Sequence, residues 1–173
     1  DFDALNVTIP YKKAVIPYCA GLSPIAQKLG SVNVLVRRPD GTLYGDNADA
    51  FGFAYLVRHS GVDIAGKKAL VLGNGGASAT VQAVLAQLGA RVTVISRSGE
   101  DNYTNLGRHA DAQVIVNTTP VGMYPHTGKA AVDLRQFPQC ALVLDVVYNP
   151  ARTALLLQAE ALGIPCAGGL YML

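Results

Sequence analysis

The chain has 173 residues, half of them hydrophobic and 15% charged, with a formal net charge of +2. That length and apolar share allow a real core in one or two small domains, and the charge balance excludes a nucleic-acid-binding surface or a disordered charged tail. Apolar runs are short and broken by Gly, Pro or charge, so no membrane span is expected, and Cys19, Cys140 and Cys166 lack metal-ligand spacing and read as reduced thiols of a cytoplasmic protein.

In chain order, a strand over Ala4–Ile9 runs into Pro10, where a helix is expected to start because proline is tolerated in a first turn. Pro17 disrupts its continuation. Ser23-Pro24 then reads as the N-cap and first position of a short helix to Leu29. Ser31–Arg38 and Thr42–Gly45 flank Pro39-Asp40-Gly41, a hairpin with a tight turn. A helix follows over Asp49–His59.

From Gly66 onward strand and helix alternate regularly. Strands are expected at Lys68–Leu72, Arg91–Ser96, Gln113–Asn117, Ala141–Val146 and Ile164–Ala167. Their Val, Ile, Leu and Ala content suits a parallel sheet covered on both faces. Helices are expected at Ala77–Leu88 and Ala151–Leu162, closed by Gly89 and Gly163 in left-handed caps, with a shorter helical piece near Asn105–His109. The rhythm predicts an α/β fold with a Rossmann-like, doubly wound parallel sheet.

The most informative stretch is Ala69–Ser78, an apolar strand meeting Gly73-Asn74-Gly75-Gly76-Ala77-Ser78 at the start of a helix. A backbone that turns this tightly beside a helix N-terminus leaves amides to bind a pyrophosphate. Ser78 stands where the dinucleotide fingerprint prefers Gly or Ala. The next strand ends in Ser96-Arg97-Ser98, where an NAD-selective site carries Asp or Glu for the ribose 2′-hydroxyl. A guanidinium between two hydroxyls suits a 2′-phosphate instead, so NADP(H) is the expected cofactor. Glu100 and Asp101 follow closely and would repel a phosphate if turned inward. Asn117–Met123 leaves a strand at the edge where ligands lie; Thr119 and Met123 either approach ribose and nicotinamide or belong to an ordinary Pro120 turn. His59, His109 and His126 show no metal-ligand spacing; they are expected on the surface or in loops, and no metal is expected.

Three polar clusters precede the dinucleotide half: Asn6-Val7-Thr8-Ile9-Pro10-Tyr11-Lys12, Ser31-Val32-Asn33 and Gly45-Asp46-Asn47-Ala48-Asp49. Each alone is ordinary surface polarity. Together, followed by the glycine turn, Ser96-Arg97-Ser98 and Asn117–Met123 in the same order, they resemble the shikimate dehydrogenase family. The resemblance implies a partial substrate-binding domain over residues 1–48, a connecting helix over 49–65 and an NADP-binding domain over 66–173. It implies Lys12 and Asp49 as the catalytic pair, with Thr8, Asn33, Asp49 and Tyr148 binding substrate. It further implies Gly73, Asn74, Gly75, Gly76, Ala77, Ser96, Arg97, Ser98, Thr119, Val146 and Gly169 as cofactor contacts.

The implied activity is reversible reduction of 3-dehydroshikimate to shikimate with NADPH, a step of chorismate and aromatic amino-acid biosynthesis. Two alternatives stand beside it: a quinate/shikimate dehydrogenase using NAD, and a non-catalytic dinucleotide- or metabolite-sensing module. Ala48 and Ala50 depart from the family's Thr and Gly, and Asn74 from its Ala. Both ends read as cut, because the family's N-terminal serine pair would precede Asp1 and its closing helix would follow Leu173. A small-molecule substrate is the expected partner.

Overall fold

The structure, a computed structural model, describes residues 2–8 and 10–173. The chain divides into two compact units, Asp1–Phe51 and Gly52–Leu173.

The first unit holds a four-stranded mixed sheet. Strand β1 (Ala4–Asn6) runs antiparallel to β3 (Val34–Arg37), which runs antiparallel to β4 (Leu43–Asp46); β2 (Gly21–Leu22) adds to β4 in parallel. The hairpin forms as expected, because Asp40 Oδ1 accepts from the Thr42 amide at 3.0 Å and Gly41 takes φ +83°. Helix α1 (Pro24–Leu29) is capped by Ser23, whose Oγ accepts from the Ala26 amide at 3.2 Å, and it ends at a left-handed Gly30. The core is small: Ala26, Val32 and Leu35, with Val7, Val15, Ile16, Cys19 and Leu22 packed against it. Gly45 sits so close to it that a Cβ would meet Leu22 at 2.7 Å and Val32 at 2.8 Å.

Two expectations fail in this unit. The first strand stops at Asn6, and Ile9, its expected end, lies outside the described residues. No α-helix follows Pro10; the chain makes turns, and Pro17 sits inside a short 3-10 turn over Ile16–Tyr18. Proline's fixed φ suits a tight turn as well as a helical first turn, and Pro17 cuts the segment too short for a helix to propagate.

Helix α2 (Ala48–His59) carries the chain across the division between the units. The second unit is an all-parallel sheet of β5 (Lys68–Leu72), β6 (Arg91–Ile95), β7 (Val114–Asn117), β8 (Leu142–Asp145) and β9 (Cys166–Gly168), in the order β6-β5-β7-β8-β9. Helix α3 (Gly76–Gln87) packs on β5 and β6, and α4 (Ala154–Ala161) on β8 and β9. Strands β7 and β8 are buried at every position. Gly89 and Gly163 follow the two helices with φ +84° and +69°, as their positions predict. Helix α4 begins three residues later than expected because Thr153 is its N-cap, its Oγ1 accepting from the Leu156 amide. Only a 3-10 turn, Leu106–His109, occupies the connection between β6 and β7. No helix among the described residues is long and apolar enough to cross a membrane.

Register fixes where the second unit can work. Leu72 pairs with Ile95 and Asn117, Asn117 with Asp145, and Asp145 with Gly168. The five strands therefore finish in one row, and their exits share one sheet edge. Strand order reverses between β5 and β7, which makes the gap between their ends the topological switch point where doubly wound sheets take ligands.

Candidate active site

In the first unit, Lys12 and Asp49 meet. Lys12 Nζ lies 2.7 Å from Asp49 Oδ2, with the two side chains 27% and 36% exposed. Asp49 stands in the first turn of α2, and the Lys12 carbonyl accepts from the Val32 amide at 2.8 Å, tying the lysine to the sheet. A pair this open adds little to stability. What it supplies is a half-buried ammonium held in place by a carboxylate. Asn33 is tied to the residue before Asp49: its Oδ1 accepts from the Ala48 amide at 2.8 Å, which orients the amide group. Asn47, fully enclosed, caps the same helix through the Ala50 amide and donates to the Ser31 carbonyl at 3.0 Å. Thr8 is exposed, preceding a turn closed by the Tyr11 amide on its carbonyl.

In the second unit, a cavity of about 550 Å³ opens at the switch point, lined by Gly73, Asn74, Gly75, Ser96, Arg97, Tyr103, Thr118, Thr119, Pro120, Val121, Ala130 and Ala131. Gly73 needs its φ of +102°, and a Cβ there would strike Thr119 Cγ2 at 2.8 Å. Gly75 and Gly76 face open space, so a ligand can approach their backbone. Gly75, the N-cap of α3, has no side chain to satisfy the first-turn amides, which leaves Gly76 and Ala77 donors without helical partners. Ser78 is buried and donates to the Gly73 carbonyl at 2.7 Å, so the hydroxyl in place of Gly or Ala stitches the turn to its helix. Thr118 closes the other lip, its amide and hydroxyl both donating to the Leu72 carbonyl at 2.9 and 2.7 Å.

These features fit the phosphates of a dinucleotide: backbone donors at a helix N-terminus, space above two glycines, and a guanidinium at the end of the next strand. Arg97 is exposed, and its charge acts on Tyr103, whose phenol is pushed up by burial against that pull. Ser98 is exposed beside Arg97. Val146 and Gly169 leave the sheet at the same edge and pack main chain to main chain, so closely that no Cβ fits at Gly169. Tyr148 is 55% exposed and Met123 44%, neither lining the cavity.

Sequence reasoning missed two polar groups of this edge. Asn117 and Asp145 are both fully buried at the ends of their strands. Asp145 Oδ1 accepts from Asn117 Nδ2 and the Val147 amide, each at 3.0 Å, and Oδ2 accepts from the Thr153 hydroxyl at 2.7 Å. Asn117 Oδ1 accepts from the Thr119 amide and hydroxyl. One carboxylate thus joins the loops after β7 and β8 to the cap of α4. Burial outweighs these three donors and pushes the Asp145 carboxyl up to about 6. The available signal was a lone polar residue closing each of two apolar strands.

His109 also departs from expectation. It is buried, with Nε2 at 2.8 Å from Asp101 Oδ1. His59 is exposed and stacks between Tyr55 and Tyr171. Among the described residues, no group of three or more His, Cys, Asp or Glu is placed to hold a metal ion.

Comparison with known proteins gives a consistent result. A family model described as the shikimate dehydrogenase substrate binding domain matches residues 1–35. The chain is 37% identical to the shikimate dehydrogenase (NADP(+)) of Dehalococcoides mccartyi, covering 98% of this chain and 66% of the relative. It is also 37% identical to that of Syntrophomonas wolfei, covering 99% and 67%. The chain therefore spans about two thirds of the length of these relatives. Among solved structures, a chorismate mutase/shikimate 5-dehydrogenase fusion protein from Clostridium acetobutylicum superposes with a TM-score of 0.91 at 34% identity, over 98% of this chain and 66% of that one. The Thermus thermophilus shikimate 5-dehydrogenase in complex with NADP(H) and shikimate gives 0.86 at 32%, over 99% and 68%. A quinate dehydrogenase from Corynebacterium glutamicum in complex with NAD gives 0.91 at 30%, over 99% and 68%.

Proposed function

The chain belongs to the shikimate dehydrogenase family, and from that premise we propose that it carries the machinery for NADPH-dependent, reversible reduction of 3-dehydroshikimate to shikimate, a step of aromatic amino-acid biosynthesis. The observation that carries this reading is the contact of 2.7 Å between Lys12 Nζ and Asp49 Oδ2, two residues 37 positions apart. A binding or sensing module has no use for a positioned proton donor.

The nicotinamide, when bound, supplies a hydride to the ring ketone carbon. With the cofactor bound, Lys12 Nζ would give a proton to the oxygen formed at that carbon, leaving a neutral amine that water reprotonates. Asp49 holds the ammonium in place and, with Thr8 and Asn33, takes hydrogen bonds from or to the ring hydroxyls. Tyr148 is the further substrate contact. The Gly73–Ala77 turn takes the pyrophosphate, Ser96, Arg97 and Ser98 take the 2′-phosphate, and Thr119, Val146 and Gly169 line the ribose and nicotinamide. Residues 1–48 act as the substrate side, 49–65 as connector and 66–173 as the cofactor side. The three cysteines are free thiols, which supports a cytoplasmic setting.

The test is to follow reduced nicotinamide by its absorbance with NADP+ or NAD+ and with shikimate or quinate. Reduction of NADP+ by shikimate is the expected outcome. Turnover only with quinate and NAD+ would replace this reading by the quinate one. Tight NADP+ binding with turnover on neither substrate would leave a sensing module.

A further inference from the structure

The connection after β6, like the one after β7, holds only a 3-10 turn where a doubly wound sheet has a helix. A doubly wound unit places a helix after each strand, yet Ser96–Asn105 holds its shape by side chain to main chain bonds. Asn102 Nδ2 donates to the Gly99 carbonyl at 3.2 Å, Asn105 Nδ2 to the Glu100 carbonyl at 2.8 Å, and the Asn102 amide to Asn105 Oδ1 at 2.9 Å. The Ser96 amide donates to the Asp101 carbonyl at 3.1 Å, closing a turn that carries Arg97 next to its closing bond. Gly99 lies inside that turn, where a Cβ would come within 2.6 Å of Ser96 Oγ.

His109 anchors this turn from below. It is buried, its Nε2 contacts Asp101 Oδ1 at 2.8 Å, and its Nδ1 is buried without a partner. An imidazole with half its polar capacity unmet is a poor core residue, since an unsatisfied buried polar atom costs free energy that an aliphatic side chain of similar size would not. Its Nε2 contact is what the position gains. That contact fastens the Asp101 end of the turn, whose main chain closes on Ser96 next to Arg97, and occupies the Asp101 carboxylate.

We propose that His109 is a positioning residue for cofactor choice: by engaging Asp101 it holds the Ser96–Asp101 turn and keeps that carboxylate from opposing a 2′-phosphate at Arg97. The proposal rests on the assignment of Arg97 to the 2′-phosphate made above. A carboxylate near this position favours the paired ribose hydroxyls of NAD and repels the phosphate of NADP. Freeing Asp101 therefore acts on one cofactor and not the other, which general loosening of the fold does not do.

The test is calorimetric titration of the chain with NADP+ and with NAD+, which needs no turnover. His109→Leu is expected to weaken NADP+ about tenfold while changing NAD+ less than about twofold, the scale of one hydrogen bond to a charged group. His109→Gln, which can still donate to Asp101, stays within about twofold of the parent for both. His109→Leu combined with Asp101→Asn recovers most of the NADP+ affinity, because the freed group no longer carries charge. Should leucine prevent folding, His109→Asn, too short to reach Asp101, carries the same expectation. Equal weakening of both cofactors, failure of Gln to rescue, or no recovery in the double variant each overturns the proposal. Arg97→Ala separates the two levels: if it shifts the NADP+/NAD+ ratio and His109→Leu does not, the proposal alone falls; if neither shifts it, the 2′-phosphate assignment falls too.

Discussion

Strand β1 of the first unit is exposed at all three positions, whereas β7 and β8 of the second are buried at every one. The first unit has a small core cluster of Ala26, Val32 and Leu35 and keeps the Lys12–Asp49 pair part-exposed on a turn and a helix start. The second has a continuous apolar sheet and a large core including Leu70, Ile115, Phe137 and Leu155, and its cavity is lined from the loops that leave that sheet. The contrast separates two ways of building a site. A parallel sheet fixes a row of loop origins by register alone, while a small mixed sheet relies on individual polar contacts such as Asn33 to Ala48 and Lys12 to Asp49.

The sharpest way to test that division is to remove the ammonium. Lys12→Ala is expected to lower kcat by about 10²–10⁴ and to leave NADP+ affinity nearly unchanged, as measured by steady-state kinetics and titration. Equal losses in both would mean that the lysine supports structure and not chemistry. Phe137→Ala, in the core of the second unit, should cost about 3–5 kcal/mol in denaturant unfolding and abolish cofactor binding as that unit opens. Arg97→Ala is expected to weaken NADP+ by about 10–100-fold with NAD+ spared, the magnitude of a charge-assisted bond to phosphate.

A smaller effect concerns Asp145, the buried carboxyl pushed up to about 6 from 3.8. Because its folded value lies above its unfolded one, the native state holds more protons between the two. Stability is full below the unfolded value and falls as pH rises toward about 6, by roughly 3 kcal/mol at most. Asp145→Asn keeps an acceptor for Val147 and Asn117 and turns a donor toward the Thr153 hydroxyl, so it should flatten the pH dependence of urea unfolding over that range. An unchanged slope would assign the proton uptake elsewhere.

How much was visible beforehand follows the same contrast. Lys68–Leu72 was placed to the residue, and the other parallel strands to within a residue or two, because an apolar run between glycines has few alternatives in a covered sheet. The segment after Pro10 was misplaced because proline starts a turn as readily as a helix, and nothing local decides between them. The start of α4 differs because its cap, Thr153, is held by Asp145, eight residues upstream at the end of a strand. Lys12 and Asp49 carry no local sign of each other; their meeting is a product of topology. His109 was misjudged for the same reason, since a lone histidine in a polar stretch gives no indication that the chain folds over it.

The connection between β6 and β7 has one more consequence. Its shape is written largely in the amide side chains of Asn102 and Asn105 and not in a helix that must find a distant face to cover. Such a segment is close to modular: grafted between two parallel strands of matching register, it would carry its own buried histidine and present its arginine at the same place.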